Sequence, residues 1–123
     1  MAALGDTLRS NPPSGQGHIW IVASDPQTTQ GQILLVNLTT LHEGCVDDAC
    51  ILGPSDYVLL THQTTVAYSR SRVVTEAKLD AAIANGAFSP VPSLPLPALQ
   101  RVLAGARASR ELSARSKRLL PPP

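Results

Sequence analysis

Between residues 18 and 74 the chain is cut into short runs of β-forming apolar residues with turn signals between them. After residue 75 the apolar spacing becomes helical. This change of period from two to about 3.6 is the strongest constraint on the fold. His18-Ile-Trp-Ile-Val-Ala23 reads as a first strand, buried on both faces, and Ile33-Leu-Leu-Val-Asn-Leu38 as a second. Asp25-Pro26 and Gly31 mark the turn between them. A polar stretch from Thr39 to Asp48 precedes Cys50-Ile-Leu52, and Gly53-Pro-Ser-Asp56 is a further turn. Tyr57–Leu60 and Val66–Val74 read as the remaining strands. Five short strands at this spacing predict a small barrel or strongly curled sheet.

The helical part follows from end signals as well as from periodicity. Thr75 caps a helix with Glu76 in its first turn, Leu79, Ala82 and Ile83 form its apolar stripe, and Gly86 ends it. Pro90 to Pro97 reads as a proline-rich connector. A second helix then carries Leu99, Val102, Leu103 and Ala106 on one face. The expected class is α+β. Residues 1–16 read as a flexible leader, 17–109 as a single barrel-plus-helix domain, and 110–123 as a basic, frayed tail.

At 123 residues the chain fits one domain. Hydrophobic residues make up 43% but aromatic residues only 3%, so Leu, Val, Ile and Ala must build the core. No apolar run reaches the roughly 18 residues needed to span a membrane. The N-terminus has no basic start followed by an apolar stretch, as a secretory signal would. The expectation is a cytoplasmic protein without membrane contact, with Cys45 and Cys50 reduced. The net charge of +1 conceals an asymmetry: residues 100–123 hold six of the ten basic residues and one acid, Glu111. Such an end offers contacts to phosphates, and equally an ordinary solvated helix face.

Three histidines carry the candidate chemistry: His18 at a strand start, His42 in the polar loop and His62 between two strands. Histidine is the side chain best suited to move protons near neutral pH, although most histidines serve structure or surface. His42, Cys45, Cys50 and His62 are ligand types that zinc prefers, but their spacing matches no standard structural pattern. Cys50 with His62 offers a nucleophile–base pair, against which Cys50 opens an apolar run and reads as a small buried hydrophobe. Thr39 and Thr40 end a strand, where hydroxyls can hold a phosphate or a 2′-hydroxyl.

The order of these pieces resembles the PemK/MazF/Kid family of toxin ribonucleases. The resemblance rests on Gly15-Gln-Gly-His-Ile-Trp-Ile-Val-Ala-Ser24, on Leu35-Val-Asn-Leu-Thr-Thr40, and on the stretch from Val58 through His62-Gln63 to Arg70-Ser-Arg72, with a helix following from Thr75. It spans about residues 15–85. The family's Arg-Pro pair near the first strand is missing, and His62 stands where an acidic residue is expected before Gln63. The resemblance implies a small SH3-like barrel that cuts single-stranded RNA without a metal or other cofactor, a homodimer, and an antitoxin partner in a bacterial cytoplasm. With the departures taken in, it implies His18 and His62 as acid and base with Thr40 beside them. Gln63, Thr39, Arg70 and Arg72 become the substrate-binding residues. The alternatives are a non-catalytic protein- or nucleic-acid-binding module on the same barrel, and a Cys/His-based hydrolase or zinc site.

Overall fold

The computed structural model describes residues 2–12, 17–45 and 47–123. Six strands form one antiparallel sheet: β1 (Thr7–Ser10), β2 (Ile19–Val22), β3 (Gln32–Thr40), β4 (Ile51–Leu52), β5 (Thr64–Thr75) and β6 (Phe88–Val91). Their order across the sheet is β4-β5-β3-β2-β1-β6. Three helices complete the α+β fold: α1 (Glu76–Ala84), α2 (Leu96–Ala108) and α3 (Ala114–Lys117). The sheet curls into a half-barrel.

Alternation along the strands divides the apolar residues between two faces. Ile21, Leu34, Val36, Leu38, Val66 and Tyr68 point to the main core, where Leu99, Val102, Leu103 and Ala106 of α2 cover them. Leu8, Trp20, Val22, Ile33 and Leu35 point the other way and meet Leu79 of α1. The runs of β2 and β3 are therefore apolar at almost every position, because both faces are covered. The β2–β3 turn is held by Asp25, whose carboxylate accepts from Gln27 N at 3.0 Å and whose carbonyl accepts from Thr28 N at 3.0 Å.

The helix ends match their sequence signals. Thr75 Oγ1 accepts from Lys78 N at 3.2 Å at the start of α1, and Gly86 follows its end at φ +85°. Helix α2 docks closely enough for the Tyr68 hydroxyl to donate to the Val102 carbonyl at 2.6 Å. Only glycine fits at 105: a Cβ there would lie 2.5 Å from the Tyr68 oxygen and 2.8 Å from Cys50 Cβ.

Four sequence expectations are corrected. The supposed leader contributes β1, which lies between β2 and β6 with Thr7 opposite both Ile21 and Val91. Its signal is weak because only Leu8 in Thr-Leu-Arg-Ser is strongly apolar, and its pairing depends on a strand some eighty residues away. Residues 13–16 of that segment lie outside the described residues. The connector begins inside a strand: Pro90 and Val91 close β6, which tolerates Pro90 because β6 is an edge of the sheet. Tyr57–Leu60 is a turn rather than a strand: Leu60 N donates to the Tyr57 carbonyl at 3.1 Å, and the Tyr57 hydroxyl reaches Pro92 O at 2.5 Å.

The C-terminal segment is docked rather than frayed. Leu112 is buried, Leu119 and Leu120 pack against the main core, and Ser113 caps α3 by accepting from Ser116 N at 3.1 Å. Arg107 donates to Pro121 O at 2.8 Å and Lys117 Nζ to Arg107 O at 3.0 Å, so two of the basic residues tie the end of the chain to α2.

Two stability measurements follow. Gly105→Ala is expected to lower the unfolding free energy by about 2 kcal/mol in urea titrations, the overpacking against Tyr68 outweighing alanine's better helix propensity. Leu112→Ala is expected to cost about 2–4 kcal/mol, whereas a frayed tail would leave the urea midpoint unmoved.

Candidate functional site

Register places the site. At the end of the β3–β5 ladder Thr40 lies opposite Thr64 and Thr39 opposite Thr65. The chain entering β5 therefore passes close to the end of β3, and His62 folds back onto Thr40. Thr40 Oγ1 lies 2.9 Å from His62 Nε2, and Thr61 Oγ1 lies 3.1 Å from His62 Nδ1. The His62 carbonyl accepts from Thr64 Oγ1 at 3.2 Å.

Both ring nitrogens of His62 thus face hydroxyls, and a hydroxyl can either donate or accept. The ring keeps both contacts in either neutral tautomer, and as imidazolium it donates to both oxygens. His62 is exposed, so a substrate can also reach it. Contacts at both nitrogens fix the orientation of a side chain whose type is eligible for proton transfer.

His18 lines the same opening. Its backbone is held by β1: His18 N donates to Ser10 Oγ at 3.0 Å, and Ser10 N to the His18 carbonyl at 2.9 Å. Gly17 allows this approach, because a Cβ there would strike the Ser10 carbonyl. His18, Thr39, Thr40, Thr61, His62 and Thr64 line one cleft of about 530 Å³ with Ile19, Leu38, Leu59 and Leu60. Its described lining contains two imidazoles and four hydroxyls over an apolar floor, and no carboxylate.

The structure thus brings His18, His62, Thr39 and Thr40 together. It does not bring in the other three. The Gln63 amide lies against Gly53, while the Gln63 backbone carbonyl accepts from Leu41 N at 3.1 Å. The Arg72 guanidinium stacks over the Trp20 ring, 5.3 Å from its centroid, on the face covered by α1. Arg70 lines a smaller neighbouring groove that shares only Thr39 with the cleft. Sequence reasoning missed Thr61 and Ser10. Thr61 was detectable as the neighbour of His62, whereas Ser10 acts through a strand that the local pattern does not reveal.

The cysteine alternatives lose their geometric basis. Cys50 is buried between Tyr68 and α2, away from His62, and burial raises its thiol pKa above the ordinary value. A buried, protonated thiol is a poor nucleophile. Among the described residues no group of three or more His, Cys, Asp or Glu is placed to hold a metal ion, so His42, Cys45, Cys50 and His62 do not form a zinc site. A second cavity, of about 520 Å³, lies beneath α1, but Asp6 and Asp80 line it and would repel a phosphate backbone.

Among solved structures the chain is similar to one titled "Endoribonuclease in complex with its cognate antitoxin from Mycobacterial species". The match covers 100% of both chains with a TM-score of 0.55 and 15% sequence identity. The two chains share a fold. This agrees with the small, strongly curled α+β fold expected from the sequence. Neither a protein-family model nor a curated protein matches the sequence. Among the described residues, no helix is long and apolar enough to cross a membrane.

Exposure separates the two thiols. With a disulfide reagent at pH 8, the half-buried Cys45 is expected to react in the native protein. Cys50 should react only as urea unfolds the chain. Two equally fast thiols in native buffer would contradict this packing.

Proposed function

We propose that this protein is a toxin-type endoribonuclease that cleaves single-stranded RNA without a metal or other cofactor. The observation that carries the reading is the cleft in which His18 and His62 meet the Thr39–Thr40 pair, in a fold shared with an endoribonuclease. In this mechanism the RNA supplies its own nucleophile. One imidazole removes the proton of a 2′-hydroxyl as its oxygen attacks the adjacent phosphorus. The other protonates the departing 5′ oxygen, leaving a 2′,3′-cyclic phosphate and a free 5′-hydroxyl.

His62 is assigned the base, with the Thr40 and Thr61 hydroxyls beside its two ring nitrogens holding the ring in place. His18, which lines the same cleft, then serves as the acid. Thr39 and Thr40 orient the phosphate, and charge gathering on its oxygens is met by hydroxyl donors and imidazolium. Gln63 and Arg70 lie outside the cleft and touch flanking parts of the RNA, while Arg72 remains on Trp20. By the same reading the protein works as a cytoplasmic homodimer in a bacterium, restrained by an antitoxin. The antitoxin bound to the structural neighbour supports that last element.

The test is cleavage of mixed single-stranded RNAs in EDTA. The parent should give discrete fragments ending in cyclic phosphate, with a bell-shaped pH–rate profile. His62→Ala and His18→Ala should each slow cleavage about 10²- to 10⁴-fold, and each should abolish one limb of the bell. Intact RNA with the parent would instead favour a non-catalytic binding module on this barrel.

A further inference from the structure

Beside the cleft, across Thr39, lies a groove of about 200 Å³ lined by Thr39, His42, Cys45, Asp47, Ser69 and Arg70, with Gly44 and Ala67. Asp47 is only 5% exposed, yet half of its carboxylate is committed. Oδ2 accepts from Ser69 N at 3.0 Å and from Ser69 Oγ at 2.6 Å, and the Asp47 carbonyl accepts from the Thr65 hydroxyl. Oδ1 is buried and, among the described residues, has no hydrogen-bond partner. Asn37 lies opposite Ala67, and its buried Oδ1 likewise has no hydrogen-bond partner among the described residues. A buried acceptor without a donor is destabilising, and a ligand N–H can relieve that cost. At the rim stands Arg70, exposed and a full positive charge.

We propose that this groove is a nucleobase subsite of the ribonuclease, in which Asp47 Oδ1 accepts from the exocyclic amine of a base and Arg70 holds the phosphate next to it. The assignment rests on the ribonuclease reading for its biological use, and on the groove's own chemistry for its ligand. A carboxylate acceptor selects bases that present an amino group, as cytosine, adenine and guanine do. Uracil has no amine, and the two carbonyls flanking its ring N–H would face the carboxylate. Arg70 sets the ligand apart from a simple cation, which it would repel. Because Thr39 belongs to both walls, one strand can place a phosphate in the cleft and a neighbouring base in the groove.

The experiment titrates the full chain with CMP, AMP, GMP and UMP, following backbone amide NMR shifts, beside the RNA cleavage assay. Shifts should centre on Thr39, Ser69 and Arg70, with the best amine-bearing nucleotide bound about tenfold or more tighter than UMP. Asp47→Asn should erase that preference. Arg70→Ala should weaken all four nucleotides by a similar factor. Equal binding of all four by the parent, or shifts elsewhere, would overturn the subsite. Nucleotide selectivity with intact RNA would sink the ribonuclease reading and leave the subsite standing. Cleavage whose sequence preference is unchanged by Asp47→Asn would sink the subsite alone. Should Asp47→Asn fail to fold, the parent's selectivity and the exposed Arg70→Ala variant still decide.

Discussion

The long β3–β5 ladder is the contact on which the rest of the molecule depends. It runs from Gln32 opposite Thr75 to Thr40 opposite Thr64, and it crosses one irregularity, between Leu35 and Asn37. At one end the register delivers Thr75 to its place as the cap of α1, so strand pairing sets where the helix begins. At the other end it brings His62 onto Thr40. The irregularity separates two groups on β5. Ala67 and Ser69 face the groove that holds Asp47, while Arg72 is turned onto Trp20. A shift of one residue in this ladder would reverse every side chain and dissolve both the core and the cleft.

Around this ladder the charges divide the surface. The described lining of the cleft holds imidazoles and hydroxyls, while Arg70 lines the neighbouring groove. The basic residues crowded at the C-terminal end are used in two ways. Arg101 pairs with Asp56 at 2.9 Å, while Arg107 and Lys117 secure the chain end through carbonyls. Charge counted along the sequence therefore exaggerates the cationic surface, because part of it is spent on structure.

Much of the fold was legible. Ile19–Val22, Ile33–Leu38 and Val66–Val74 contain enough β-branched and aliphatic residues to be strands on any reading, and Thr75 with Gly86 brackets α1 correctly. What stayed hidden were elements without a local signal. Thr7–Ser10 and Phe88–Val91 are short, carry Arg or Pro, and become strands only because they pair with each other and with β2. Tyr57–Leu60 misled in the opposite direction. Its apolar residues are there to bury Tyr57 and Leu60 within a turn rather than to extend a ladder. Of the site, the histidines and the threonine pair could be named from their chemistry. Arg72 was drawn to the wrong place because an exposed-looking arginine gives no sign that an indole lies beneath it.

The sequence by itself determined the class of this protein: apolar periodicity and end-capping residues are local properties, and they specify strands followed by helices wherever the chain goes. It also determined which side chains were eligible for proton transfer, since that depends on residue type. Only the tertiary structure decided that His18 and His62 line one opening, that Cys50 is sealed beneath α2, and that Asp47 keeps an acceptor without a partner. Each of those facts depends on register and packing between segments distant in the chain. A residue's type determines its capacity for chemistry, and the neighbours that let it act are assembled only when the sheet closes around them.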